Sequence, residues 1–262
     1  MNGLAAPAAP VDAARRFSGL ERLYGVQGAQ RIRAAHVAVI GLGGVGSWAV
    51  EALARSGVGH LTLVDLDHVS ESNINRQIQA EDASLGQAKV KAMRDRIHRY
   101  HPQCQVDTVE EFVDAQNWPG ILGETPDAVI DACDQVSAKL VMAAWARGRE
   151  LAFITVGAAG GKRLAHEVQI DDLSKATHDP LLAQLRQRLR RLHAAPREGR
   201  AMGLSAVFSR EPVAQADSSC AVQEDQSLNC HGYGSVVAVT ATFGHCAAGW
   251  VLHELSKIAP II

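Results

Sequence analysis

Residues 36–47, HVAVIGLGGVGS, constrain this chain more than any other stretch. A compact apolar run breaks abruptly into glycines, and residues 44–56 after it have helical character. Such a run reads as a strand buried on both faces, the signature of a central position in a parallel sheet. HLTLVD (60–65) supplies a second strand, and strand, helix, strand within about thirty residues is a βαβ unit. The alternation continues, with a helix over 86–100, strands at 104–109 and 127–131, a helix over 137–148 and a strand at 151–157. It predicts an α/β, Rossmann-like fold with a mostly parallel sheet flanked by helices.

The later chain is less regular. HEVQIDDL (166–173) and AVFS (206–209) are assigned to an antiparallel C-terminal extension, and residues 180–193 to an amphipathic helix. No linker interrupts the pattern, so residues 16–258 are expected to form one domain after a flexible tail at 1–15. A basic helix and loop excursion falls at about 178–203.

Composition narrows the classes of function. A net charge of -2 gives no global basic field of the kind that marks a nucleic-acid binder. The five cysteines form no Cys-x-x-Cys pair, which argues against a disulfide framework and against a four-cysteine zinc site, so no zinc is expected. SVVAVTATFGHCAAGWVL (235–252) approaches the length of a short membrane span, but His245 among Ala and Gly points to a core or subunit-interface helix. A cytoplasmic protein without membrane association is expected.

The glycines Gly41, Gly43, Gly44 and Gly46 let the backbone turn tightly and approach phosphate oxygens, while the following helix directs free amides at them. That pattern alone suits nicotinamide, flavin and ATP sites equally, and also a structural turn. Asp65, nineteen residues after Gly46, is placed to accept ribose hydroxyls. Asp67 reads either as a second polar contact or as a solvated turn residue.

The next segment, Asn73-Ile74-Asn75-Arg76-Gln77, favours nucleotidyl transfer over hydride transfer. Negative charge builds on a triphosphate as pyrophosphate leaves, and Arg76 and Lys89 can offset it. Asp131 closes the strand DAVID, where a carboxylate suits Mg2+. Asp134 and Lys139 follow closely, Asp134 reading equally as a helix N-cap.

GLGGVGS (41–47), DLD (65–67), NINRQ (73–77), Lys89 and DACD (131–134) together resemble the ubiquitin-activating-type adenylyltransferases, which include thiamine- and molybdopterin-biosynthesis members. RFSGLERLYG (16–25), TVGAAGGK (155–162), DDLSKATHDPL (171–181) and VVAVTATFG (236–244) extend the resemblance to the tRNA threonylcarbamoyladenosine dehydratase branch. The resemblance implies ATP and Mg2+, homodimerisation, and activation of a carboxylate as an acyl-adenylate. Arg76, Lys89 and Asp131 take the catalytic positions, with Asp131 on the metal. Gly41, Gly43, Gly44, Gly46, Asp65, Asp67, Asn73 and Gln77 take the nucleotide-binding ones.

The implied substrate is tRNA carrying threonylcarbamoyladenosine; the alternative is the C-terminus of a ubiquitin-like sulfur carrier. A monovalent cation and a sulfur-relay (cysteine desulfurase) partner are candidate additions. Cys220 and Cys230 are either packed thiols or nucleophiles of the kind sulfur-moving relatives use. Arg186, Arg188, Arg190 and Arg191 are candidate tRNA-phosphate contacts.

Overall fold

A computed structural model describes residues 12–197, 199–215 and 233–257. Its elements follow the order α1 (Ala13–Ala34), β1 (His36–Ile40), α2 (Gly46–Arg55), β2 (His60–Val64), α3 (Lys89–His98), β3 (Gln105–Val109) and β4 (Ala128–Asp131). Then come α4 (Val136–Ala146), β5 (Ala152–Val156), β6 (Val168–Asp172), α5 (Pro180–Leu192), β7 (Ser205–Ser209) and α6 (Val237–Lys257). One seven-stranded sheet runs in the order β3-β2-β1-β4-β5-β7-β6. Its pairings are parallel except that of β6 with β7. The antiparallel extension is therefore the single edge strand β6, because β7 continues the parallel sheet from β5.

β1 is buried along its whole length, and its side chains alternate between two cores. Val37 and Val39 pack with Val50, Leu53, Met93 and Phe243, whereas Ala38 and Ile40 pack with Met142, Leu182 and Leu185. The period of two in a strand is what allows one apolar run to serve helices on both faces.

The excursion after β6 closes the second core. Asp179 caps α5 through the Leu182 amide, 2.9 Å away. Leu182, Leu185 and Leu189 lie on one face and are fully buried, each burial contributing on the order of 2 kcal/mol. On the first face, α6 lies against α2 closely enough that a Cβ on Gly244 would stand 2.4 Å from the Val45 carbonyl oxygen. Val239, Phe243, Ala247, Val251 and Leu255 recur along its buried side. The apolar C-terminal stretch is thus a core helix, and no described helix is long and apolar enough to cross a membrane.

β1 has β2 on one side and β4 on the other, so the chain order reverses at β1. Splaying of the connections there opens a crevice at the carboxyl ends of the strands, where ligands bind in doubly wound sheets. Of the expected tail, Asp12 caps α1 and residues 13–15 are helical; residues 1–11, like Cys220 and Cys230, lie outside the described residues.

Candidate functional site

The carboxyl ends of the central strands open into a cleft of about 400 Å³. Gly41, Gly43, Gly44, Asp65, Asp67, Arg76, Gln77 and Lys89 all line it, drawn from four separate stretches of sequence. Cys133, Asp134, Gln135, Tyr233 and Thr240 complete much of the wall.

The glycine turn is dictated by contact. Gly41 adopts φ +88°, and a Cβ there would meet the Ala132 carbonyl oxygen at 2.9 Å. A Cβ on Gly46 would stand 1.8 Å from the Gly41 carbonyl oxygen, so this residue is needed to close the turn although it does not line the cleft. Gly43 is different: no heavy atom lies within 4 Å of its Cβ position, which leaves room for something entering the cleft. No side chain caps α2, so apart from the Ser47 amide, which donates to the Gly43 carbonyl at 3.2 Å, its first-turn amides and helix dipole remain available to an anion.

Asp65 ends β2 with its carboxylate against the turn. Oδ2 accepts the Leu42 amide at 2.6 Å and Oδ1 the Asp67 amide at 2.8 Å. Burial raises its carboxyl above the usual range, opposed by Lys89 and by those two amides. Lys89 is 3% exposed at the start of α3 and lines the cleft, so it is not a surface cation. Its Nζ donates to Asp67 Oδ2 at 2.7 Å and lies 4.0 Å from Asp65 Oδ1. Asp67 is therefore the anchor of that ammonium rather than a bare turn residue.

The polar segment after β2 is tied to the same turn. Trp48 on α2 donates its indole N–H to the Arg76 carbonyl at 2.9 Å. The guanidinium donates to the Ser72 carbonyl at 2.7 Å and to Asn75 Oδ1 at 2.8 Å. Gln77 is buried and accepts from Gln79, which also donates to the Leu42 carbonyl at 3.0 Å. Asn73 stands apart from the cleft wall; it is buried and closes its own turn, Oδ1 accepting the Ser70 amide at 3.1 Å.

Asp131 requires a correction. Its carboxylate is fully buried and absent from the cleft wall. Lys139 Nζ donates to it at 3.0 Å, Thr155 Oγ1 at 2.6 Å and the Cys133 thiol at 3.0 Å. A carboxylate so enclosed is a poor metal ligand, because a cation would have to displace the Lys139 ammonium. Asp134 is exposed, lines the cleft and makes no hydrogen bond or ion pair among the described residues. Nor is it the N-cap of α4, a position held by Gln135. Mg2+ uses one or two protein carboxylates beside phosphate oxygens, and the unengaged carboxylate of Asp134 fits that donor set.

The sequence reading missed Cys133, Gln135, Tyr233 and Thr240. Thr240 and Gly244 are one helical turn apart on α6, a spacing that could have flagged the first as facing the glycine turn. Burial, with the charge of Asp131, pushes the Cys133 thiol well above its ordinary range, so it is a weak nucleophile near neutral pH.

The four arginines of α5 divide. Arg186 donates to the carbonyls of Leu173 and Ala176 at 3.1 and 2.9 Å, and Arg190 to that of Pro196 at 3.2 Å, so both fasten the excursion. Arg188 is half-buried and Arg191 exposed; neither makes a hydrogen bond or ion pair among the described residues.

Residues 18–261 match the ThiF family. The chain is 40% identical over 245 residues to the tRNA threonylcarbamoyladenosine dehydratase of Haemophilus influenzae, covering 93% of this chain and 94% of that one. The solved structure of the Escherichia coli tRNA N6-threonylcarbamoyladenosine dehydratase in complex with ATP superposes with a TM-score of 0.84 at 37% identity, over 95% of this chain and 97% of that one. Likeness to the molybdopterin-synthase adenylyltransferase of Escherichia coli is partial, 36% identity over 45% of this chain and 47% of that protein.

Proposed function

Since this chain belongs to the ThiF family and to its tRNA threonylcarbamoyladenosine dehydratase branch, we propose that it performs the ATP-dependent cyclisation of the threonylcarbamoyl group on tRNA, with loss of water. The observation that carries this reading is the convergence of the glycine turn, Asp65, Arg76 and Lys89 on one cleft. Those groups supply what carboxylate adenylation requires: a seat for phosphates, an acceptor for ribose hydroxyls and two cations. A sulfur-carrier substrate is less well supported, because likeness to such an adenylyltransferase covers under half of either chain.

A free carboxylate is a poor electrophile. In the proposed reaction the substrate carboxylate attacks the α-phosphorus of ATP and pyrophosphate leaves. Arg76 and Lys89 offset the negative charge that develops on the departing phosphates, Lys89 exchanging its bond with Asp67 for one to phosphate. Each oxygen of Asp65 retains a lone pair for a ribose hydroxyl. In the second step the carbamoyl group of the same substrate attacks the acyl carbonyl and AMP departs, carrying one former carboxylate oxygen. Because nucleophile and electrophile share one molecule, positioning supplies much of the rate, several kcal/mol in favourable cases. No protein nucleophile is required, in keeping with the raised pKa of Cys133.

Asp134 is the side chain that would hold Mg2+, which when bound would supply further neutralisation of phosphate charge. Arg188 and Arg191 are the α5 cations we assign to tRNA phosphates. Residues 16–258 are proposed as one domain. The homodimer, a monovalent cation and a sulfur-relay partner rest on the family resemblance alone, and the cytoplasmic location on the sequence reading.

The test is incubation with threonylcarbamoylated tRNA, ATP and Mg2+, followed by nucleoside mass measurement. A product lighter by one water, with AMP formed, is expected. An unchanged nucleoside alongside pyrophosphate exchange driven by a small Gly-Gly-ended protein would refute the dehydratase reading.

A further inference from the structure

At the amino ends of the strands, opposite the cleft, β1 and β2 both begin with histidine. His36 and His60 are register partners in the parallel pair, so their side chains emerge side by side on one face. The rings stack with centroids 3.7 Å apart and planes 8° from parallel. Each ring has one nitrogen engaged: His36 Nε2 with Thr62 Oγ1 at 2.8 Å and His60 Nε2 with Asp107 Oδ2 at 2.6 Å. A carboxylate accepts only from N–H, so Nε2 of His60 carries the proton and, in the neutral ring, Nδ1 keeps its lone pair.

The free nitrogens meet a third group. Glu124 Oε1 lies 3.7 Å from His36 Nδ1 and 3.6 Å from His60 Nδ1, too far for hydrogen bonds. His36 is only 8% exposed, yet its Nδ1 has no hydrogen-bond partner among the described residues. Two lone pairs and a carboxylate oxygen thus share one space, all within 4.8 Å of one another.

We propose that His36 Nδ1, His60 Nδ1 and Glu124 Oε1 form a zinc site that ties the starts of β1 and β2 to the chain entering β4. Tetrahedral zinc sets its ligands roughly 3.3 Å apart, so the two separations from Glu124 must shorten by a few tenths of an ångström, and the stacked rings must also turn out of parallel to aim both Nδ1 lone pairs at one ion. Metal-bound histidines characteristically donate their second nitrogen to a carboxylate or another oxygen, which is the arrangement Asp107 and Thr62 provide. Glu124 is largely exposed, so water can occupy the fourth position. This site departs from the expectation of no zinc, which rested on the lack of Cys-x-x-Cys pairs and does not bear on a histidine site. Its role is to clamp the amino ends of the central strands, independent of nucleotide.

The test uses the full chain, stripped of metal by a chelator and free of nucleotide. Zinc alone is titrated calorimetrically, and thermal unfolding is followed with and without it. One equivalent is expected to bind, raising the unfolding midpoint by about 5 °C when free zinc is about 100 times its Kd. X-ray absorption should give a shell of nitrogen and oxygen with imidazole scattering. Glu124→Gln changes only an exposed carboxylate and should weaken binding by about 10-fold or more, as should His60→Asn. Zinc binding at full affinity in the Glu124→Gln/His60→Asn double variant, sulfur in the metal shell, or no zinc binding by the parent chain would each overturn the proposal.

Discussion

Replacing Asp131 and Asp134 separately distinguishes the carboxylate that holds the fold from the one that serves the cleft. Asp131→Ala leaves the fully buried Lys139 ammonium without its counter-charge. Breaking such a pair typically costs about 3–5 kcal/mol. Lys139 would keep its bonds to Thr155 Oγ1 at 3.2 Å and the Val156 carbonyl at 2.7 Å, which places the loss near the lower end. For 262 residues the entropy of unfolding is about 0.55 kcal/mol/K, so about 3 kcal/mol lowers the midpoint by about 5 °C. Asp131→Ala/Lys139→Met should recover most of that loss, because no charge then remains buried. Asp134→Ala, at an exposed site, should stay within about 0.5 kcal/mol of the parent while adenylation falls about 100-fold. Thermal unfolding and AMP formation are read on the same samples. If Asp131→Ala melts like the parent but cannot adenylate, while Asp134→Ala is active, the magnesium carboxylate is Asp131 and the reasoning is refuted.

Other outcomes follow from the same geometry. Arg76→Ala should lower kcat/KM for ATP by about 100-fold or more with little change in stability, and a variant of near-normal turnover would contradict its place at the phosphates. Arg188→Gln/Arg191→Gln should weaken tRNA binding and flatten its salt dependence by about two phosphate contacts, whereas Arg186→Ala should chiefly lower the unfolding midpoint; equal effects on both readouts would undo that division. His101 is buried against Phe17, and burial lowers its pKa. Below about pH 6.5 the unfolded chain therefore gains a proton that the folded chain resists, and stability falls as pH drops. His101→Gln should shrink the loss of urea midpoint between about pH 7.5 and 5.5; an unaltered loss would exclude that histidine as a cause.

How much of this was legible in the sequence depends on which force fixes each feature. Strands β1, β2, β4 and β5 announce themselves because burial on both faces demands unbroken apolar runs. The glycine turn does so because steric contact at Gly41 and Gly46 admits no side chain. Lys89 lines the cleft, but its burial and its hold on Asp67 depend on α3 packing beside β2, which spacing cannot reveal. Asp131 and Asp134 read alike as carboxylates after an apolar strand. What separates them is the inward turn of one toward Lys139, eight residues later and fully buried. The α5 arginines likewise look equivalent until the folded excursion offers carbonyls to Arg186 and Arg190 but not to Arg188 and Arg191. His36 and His60 were invisible as a pair because only the register of β1 with β2 brings them together.

The path of a single oxygen atom tests the central claim most directly. Threonylcarbamoylated tRNA whose free carboxylate carries heavy oxygen is turned over with unlabelled ATP, and the nucleotide products are weighed. Transfer through an acyl-adenylate predicts one heavy oxygen in AMP for each molecule cyclised and none in pyrophosphate. Label in released phosphate, with ADP in place of AMP, would contradict it.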